Sequence, residues 1–118
     1  HRLAKQAEYA TVFRTGRRRR GVLLECCWTD NSLGHPRMGL VVPKFRATGV
    51  ARNRLRRRLK EIWRREVMPV QPPWDLVIRI TKAAYAAPFA ALRRELLVWR
   101  DAVCPPRLPP SAPDAPLP

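Results

Sequence analysis

The sequence predicts an α+β fold, an α/β sandwich in which one small sheet is covered by helices. Helical and strand-like segments follow each other in the order helix, two or more strands, helix, strand, helix. A chain of 118 residues that is 46% apolar is long enough for one modest core and is not a disordered polycation. We therefore expect one domain over residues 1–104. Residues 105–118 hold seven prolines and should form an extended or disordered tail.

The first predicted helix lies in LAKQAEYATVFRTG, residues 3–16. Apolar side chains recur there at the spacing of one helix face, namely at Leu3, Ala7, Ala10 and Phe13. Gly16 is a suitable point for this helix to end.

The next segments predict strands. GVLLECCWT (residues 21–29) has strand character, and the turn-rich DNSLGHPR (residues 30–37) predicts a hairpin loop. MGLVV (residues 38–42) is a second strand that stops at Pro43. DLVIRI (residues 75–80) is a third clear strand.

Two more helices are predicted. One runs from about Val50 to Glu66 and carries a dense set of basic residues. The other starts near Pro88, a residue that suits the first turn of a helix. The apolar face of this last helix consists of Phe89, Leu92, Leu96 and Trp99.

The charge of the chain indicates an anionic partner. Lys and Arg number 24 against 9 Asp and Glu, which gives a formal charge of +15. Such an excess destabilises a compact fold by self-repulsion unless an anion offsets it. The sign of the charge does not distinguish RNA, DNA and anionic lipid.

The cysteines and the hydropathy pattern indicate the cellular compartment of the protein. Three cysteines without a CxxC or Cys/His spacing argue against a zinc site and against a disulfide framework. We therefore expect reduced thiols in a cytoplasmic protein. The sequence has no apolar run of about eighteen residues, so no membrane partner is expected.

The basic helix, ARNRLRRRLKEIWRRE, has two distinct faces on a helical wheel. An apolar arc that can pack on the sheet is formed by Ala51, Leu55, Leu59, Ile62 and Trp63. The opposite arc is polar and consists of Asn53, Arg56, Arg57, Lys60 and Arg64. Arg54, Arg58 and Arg65 lie on one flank, and Arg52 lies on the other, beside the apolar arc.

Two interpretations of this helix compete: a solvated face that keeps the protein soluble, and a surface for a polyanion. Solvated helices usually mix charges to gain i,i+4 pairs, whereas only Glu61 and Glu66 lie among eight cations here. Seven of those cations are arginine, which makes bidentate contacts to phosphate and stacks on bases. The pattern favours a nucleic acid.

The same residues resemble a known family. ARNRLRRRLKE is similar to the arginine-rich signature of the protein subunit of bacterial ribonuclease P. EYATVFRTGRR resembles the first helix of that family, in which two aromatic residues four positions apart precede a glycine. GHPRMGLVVPK and WDLVIRITKAA resemble two of its strands. The resemblance covers roughly residues 2–103 and keeps the order of the blocks.

The resemblance implies a fold and a function. The fold is a small mixed sheet flanked by three helices, with a left-handed βαβ crossover that carries the basic helix and an additional short strand at residues 17–20. The implied function is that of a subunit of ribonuclease P, the endonuclease that removes the 5′ leader of precursor tRNA. In that enzyme the catalyst is the RNA subunit with bound Mg²⁺, and the protein binds this RNA and the leader.

Site residues follow from the resemblance position by position. The residues assigned to the catalytic RNA are Arg52, Asn53, Arg54, Arg56, Arg57 and Lys60. The residues assigned to the single-stranded leader are Phe13, Arg14, Arg17, Lys44, Phe45 and Arg46. Phe13 could instead be a core aromatic, and Phe45 could pack the loop. No catalytic residue and no metal ligand are expected on the protein, because no paired acids have the necessary spacing.

The sequence departs from the family pattern at two places. Pro43-Lys44-Phe45 stands where many members have Ser-Lys-Lys, and Ala47 stands where a glycine usually follows. The strand that tends to carry a cleft aromatic has Cys26–Cys27 at that register, with Trp28 adjacent.

Three other functions remain open from the residues. The chain could be a stand-alone RNA-binding or ribosome-associated protein, a DNA-binding helix-turn-helix protein, or a binder of anionic membranes. The strands on both sides of the basic helix argue against the helix-turn-helix. A membrane binder would need a bulkier apolar face free of the core. The interpretation as a ribonuclease P subunit requires no protein partner.

Overall fold

The computed structural model describes residues 6–105. Its three helices are α1 (Gln6–Thr15), α2 (Gly49–Ile62) and α3 (Phe89–Val103). Its four strands are β1 (Arg17–Arg20), β2 (Leu24–Asp30), β3 (Arg37–Val41) and β4 (Trp74–Ile80). A π-helical turn (Trp63–Val67) extends α2, and a 3₁₀ turn (Lys82–Ala86) precedes α3. The predicted α+β class is confirmed, whereas the proline-rich tail lies outside the described residues.

The four strands form one mixed sheet with the order β1-β2-β4-β3. β2 pairs antiparallel with both β1 and β4, and β3 pairs parallel with β4. The chain therefore crosses from β3 through α2 to β4, as a βαβ unit. The left hand of this crossover stays a prediction.

The hairpin predicted at residues 30–37 is wrong, because β4 lies between the two strands that this loop connects. The hairpin is formed instead by β1 and β2, with Arg17 opposite Trp28 and Arg20 opposite Glu25. The short strand at residues 17–20 that the resemblance implied is thus confirmed. β4 is buried along most of its length, with Trp74, Leu76, Ile78 and Ile80 on one face and Val77 between Asp75 and Arg79 on the other.

The larger core lies on one face of the sheet, under α2 and α3, and we call this side the α2–α3 face. Cys26, Leu76 and Ile78 point to it, together with Leu59 of α2 and Leu96 of α3. All five side chains are buried. The apolar arc predicted for α2 is confirmed, since Leu55, Leu59 and Ile62 are buried.

The smaller core lies on the opposite side, which we call the α1 face. Val12 of α1 packs there against Cys27 and Val77, with Tyr9 and Phe13 beside them. Cys26 and Cys27 therefore point to opposite faces, as strand alternation predicts. Gly39 allows α1 to approach, because a Cβ at this position would lie 2.6 Å from the Tyr9 hydroxyl oxygen.

α3 differs from its sequence prediction at its first turn. Pro88 is the N-cap of the helix and not a residue of its first turn. Leu92, Leu96 and Trp99 are buried, whereas Phe89 is 40% exposed. Periodicity predicts the face on which Phe89 lies, but it does not predict how far the sheet extends below the first turn of the helix.

Candidate nucleic-acid interface

The outer side of α2 presents cations that no acid offsets. Asn53, Arg54, Arg57 and Lys60 are exposed, and Arg52 and Arg56 are partly buried. None of these six side chains forms an ion pair with a residue between Gln6 and Pro105. Thr48 fixes the start of the helix by accepting the N–H of Ala51 at 3.1 Å. The predicted cationic array is therefore assembled on one rigid element.

The two acids of this segment are used at its C-terminal end. Glu61 accepts hydrogen bonds from Arg64 and also pairs with Arg65, and the Arg64 hydrogen bond lowers the pKa of the Glu61 carboxyl. Glu66 pairs with Arg93 of α3, whose hydrogen bond lowers the pKa of Glu66. The charges are thus balanced after Lys60, and the first three turns of α2 keep their full positive charge.

Arg52 connects the helix to the sheet. Its Nη2 donates to the carbonyl oxygen of Val42 at 3.0 Å, just after β3. Its Nε is buried and has no hydrogen-bond acceptor in the described part of the chain. The Nη2 nitrogen of Arg52 therefore helps to position the N-terminus of α2 against the end of β3.

Phe13 and Arg14 lie on α1, above the opposite face of the sheet. Phe13 is partly buried against the small cluster of Val12, Cys27 and Val77. Arg14 is exposed. Phe13 is thus neither fully in the core nor free, and part of its ring remains available for stacking.

A buried ion bridge attaches α1 to the sheet. Arg37 of β3 donates to both carboxylate oxygens of Asp75 at 2.9 and 2.8 Å, and its Nη1 donates to Glu8 of α1 at 2.9 Å. The Arg37 side chain is only 16% exposed. The hydrogen bonds to Asp75 raise the pKa of Arg37, so its guanidinium is charged at all ordinary pH values.

The arginines of β1 alternate between the two faces. Arg18 and Arg20 lie on the α1 face, where they approach the Glu25 carboxylate at 3.4 and 3.5 Å. Arg17 lies on the α2–α3 face, with its guanidinium 5.5 Å from the Trp28 ring centroid and 5.2 Å from that of Trp74. Such cation–π contacts hold Arg17 at the rim of the core.

Arg17 is therefore on the side of the sheet away from Phe13, although the sequence assigned both to the leader. The cations that share the face of Phe13 include Arg18 and Arg20 of β1 and the exposed Arg79 of β4, which the sequence analysis assigned to no site. Strand alternation was the signal that could have found them. Trp28, adjacent to the missing cleft aromatic, is buried on the α2–α3 face.

The loop between β3 and α2 exposes Lys44, Phe45 and Arg46. Phe45 and Arg46 have φ values of 44° and 66°, a left-handed conformation that is costly for residues other than glycine. The Phe45 ring meets Tyr85 edge to face at 6.5 Å, and the Tyr85 hydroxyl donates to the Pro43 carbonyl at 2.6 Å. The loop is thus fastened to the 3₁₀ turn and presents two cations beside the start of α2.

Between Gln6 and Pro105, no three His, Cys, Asp or Glu side chains come together as a set that could hold a metal ion. The three cysteines are free thiols, and burial raises the pKa of Cys104 to about 11, so that thiol is protonated at neutral pH. No helix in this part of the chain is long and apolar enough to span a membrane.

A comparison with protein families finds that the family model described as Ribonuclease P matches residues 1–102. The chain is 38% identical over 105 residues to the ribonuclease P protein component of Brucella melitensis, covering 80% of this chain and 74% of that protein. It is 36% identical over 106 residues to the same component of Kocuria rhizophila, covering 87% and 88% of the two chains.

Solved structures share the fold. The ribonuclease P protein of Staphylococcus aureus superimposes with a TM-score of 0.80 at 19% identity, over 87% of this chain and 95% of that one. The ribonuclease P protein of Thermotoga maritima gives a TM-score of 0.78 at 22% identity, over 87% and 97%.

Proposed function

The chain belongs to the ribonuclease P protein family as a bacterial protein subunit, and on that premise we propose that α2 binds the catalytic RNA while the α1 face binds the 5′ leader. As a component of ribonuclease P, it takes part in tRNA processing. Its general partners are therefore the ribonuclease P RNA and precursor tRNA.

The observation that carries the α2 assignment is the set of cations without acid partners on its outer side. Arg54, Arg57 and Lys60 are exposed and have no acid partner among residues 6–105, whereas Arg64 and Arg65 share Glu61. Folded RNA presents phosphates along its grooves and hides major-groove base edges, so it suits an array of fixed guanidinium groups. Each phosphate contact releases counterions and makes the affinity depend on salt.

The leader assignment follows from the α1 face. A single strand binds where a cationic groove runs beside an aromatic platform. Phe13 supplies the platform, and Arg14, Arg18 and Arg20 supply cations on or above the same face. Lys44, Phe45 and Arg46 extend the proposed basic surface toward the start of α2.

Mg²⁺ is assigned to the RNA in this proposal. The described residues provide no cluster of oxygen, nitrogen or sulfur ligands that fits a resident metal. The protein's side chains would instead screen phosphate charge and orient the two RNAs. The proposed compartment is the cytoplasm, which the three free thiols support.

The direct test is cleavage of precursor tRNA by the organism's own ribonuclease P RNA. We expect that the protein accelerates leader removal at near-physiological salt and Mg²⁺, and that the protein without the RNA cleaves nothing. The measurement is the single-turnover rate with and without each component. Absence of stimulation would leave the rival, a stand-alone RNA-binding protein, as the better description.

Phe13→Ala tests the leader platform. Loss of one stacked base should weaken binding of precursor tRNA by about 1–3 kcal/mol, with a much smaller effect on mature tRNA, which has no leader. The measurement is the dissociation constant of the reconstituted holoenzyme for both RNAs. Equal weakening of both would mean that Phe13 acts only as a packing residue of the small core.

A further inference from the structure

A groove on the α2–α3 face adjoins the proposed leader surface and shares Arg20 with it. It is a cavity of about 510 Å³ between the β1–β2 turn and α3. The volume lies within the range of about 300–1,000 Å³ that is usual for ligand sites. Leu24, Cys26 and Trp99 line its inner side, and Val22 and Val98 form lips that are 77% and 50% exposed. Exposed aliphatic side chains around a cavity are typical of a binding surface.

The walls of this groove are fixed to each other. Glu95 of α3 accepts the backbone N–H groups of Leu23 and Leu24 at the end of the β1–β2 turn, at 2.8 and 2.5 Å. Gly21 permits this close approach, because a Cβ at that position would clash with the Glu95 carboxylate. The Glu95 carboxylate lines the groove at the end where these two N–H groups bind it, and so fastens α3 to the turn.

Three arginines surround the groove: Arg19, Arg20 and Arg94. Arg19 and Arg94 are exposed, and neither pairs with an acid within the described residues. Guanidinium planes both contact phosphate and stack on unpaired bases. An occupant with a flat, largely apolar ring and an attached anion therefore fits this site, and an unpaired nucleotide has that chemistry.

The groove is continuous with the proposed leader surface. Arg20 pairs with Glu25 on the α1 face and also lines the groove. Arg18 and Arg20 on one face and Arg17 and Arg19 on the other make a cationic band around β1, which is an edge strand of the sheet. A single strand leaving the α1 face at Arg20 therefore meets cations all the way to the groove.

We propose that the groove between the β1–β2 turn and α3 binds a nucleotide of the 5′ leader upstream of the part held on the α1 face. This inference rests on the proposed function of the α1 face. The occupant is the leader strand and not the catalytic RNA, because the band of arginines connects the groove to the leader surface.

The test uses the reconstituted holoenzyme and precursor tRNAs whose leaders grow by one nucleotide at a time. Affinity should rise in two steps, the second when the leader reaches the groove. Arg94→Gln should remove the second step, weakening long-leader substrates roughly three- to tenfold and leaving the shortest leaders unchanged. The salt slope for long leaders should fall by about 0.7, the value for one single-strand contact. Val98→Asp places an anion at the edge of the groove, and it too should weaken the binding of long-leader substrates without affecting the shortest leaders.

Arg93→Gln is the matched control. It removes the same charge from the neighbouring position of α3, but Arg93 pairs with Glu66 and does not line the groove. It should retain both affinity steps.

The outcomes separate this inference from the function it rests on. One outcome is that Arg94→Gln and Val98→Asp leave the affinity for precursor tRNA unchanged, and a second is that they weaken it equally at every leader length. Either result would overturn the groove assignment, even if Phe13→Ala behaves as expected. A third outcome is that the chain self-associates, that Val98→Asp abolishes this self-association, and that the affinity for precursor tRNA does not depend on leader length in the way expected. That outcome would also overturn the groove assignment and would identify a second copy of the chain as the occupant.

Discussion

Replacing Arg54 and Arg57 together by alanine should weaken binding of the ribonuclease P RNA by about one to two orders of magnitude at near-physiological salt, if each contact contributes about 1 kcal/mol. Both side chains are exposed on α2 and have no acid partner within the described residues, so their charge is fully available to phosphate. Alanine is the best helix former, and the helix itself should persist.

The salt dependence distinguishes lost phosphate contacts from a general loss of structure. Each contact contributes about 0.7 to the log–log slope for a single strand and about 0.9 for a duplex. The double variant should therefore flatten the slope by about 1.4 to 1.8. Filter binding or fluorescence anisotropy at several salt concentrations measures it, and an unchanged slope would reject the assignment of these residues to the RNA.

Arg64→Ala with Arg65→Ala is the appropriate comparison for that experiment. It removes two charges from the end of the same helical segment, where both arginines already pair with Glu61. Because Glu61 offsets part of their charge, we expect a smaller change in slope. An equal change would show that net charge, and not the array on the first turns of α2, controls RNA binding.

The faces of the helices could be predicted from the sequence because they depend on local periodicity. Leu55, Leu59 and Ile62 are three or four positions apart, so that any core under α2 must meet them together. Strand pairing has no comparable local signal. Two strands separated by the short loop at residues 30–37 favoured a hairpin, yet the apolar β4, far along the chain, occupies the place between them.

The candidate site shows the same division. The unpaired cations of α2 follow from their spacing, and the structure places them on one outer side. The residues of the leader surface could not be predicted without knowing how the strands pair. Because β1 pairs with β2 in the observed register, Arg17 lies on the α2–α3 face, whereas Arg18 and Arg20 lie on the same face as Phe13. The groove beside Arg94 was not foreseen, because it exists only where the β1–β2 turn meets α3.

Arg37→Ala should lower the free energy of unfolding by about 2–4 kcal/mol. Arg37 satisfies the buried carboxylate of Asp75 and also holds Glu8 of α1, three residues that are distant in sequence and that no local pattern connects. Without the guanidinium, Asp75 keeps the Asn31 side-chain amide at 2.9 Å, a neutral donor that does not offset a buried negative charge. Urea unfolding followed by circular dichroism would measure the loss.

The partners of Arg37 allow the cause of that loss to be identified. Glu8→Gln removes only the outer carboxylate, which is 28% exposed, and leaves the Arg37–Asp75 pair intact, so it should cost much less than Arg37→Ala. Arg37→Met combined with Asp75→Leu removes both charges from the buried pair and should recover much of the stability lost in Arg37→Ala, because no charge is left unpaired. If the combined variant were as unstable as Arg37→Ala, the bridge would stabilise the fold by its own attraction. If Arg37→Ala were as stable as the parent, the bridge would make no measurable contribution to the stability of the fold.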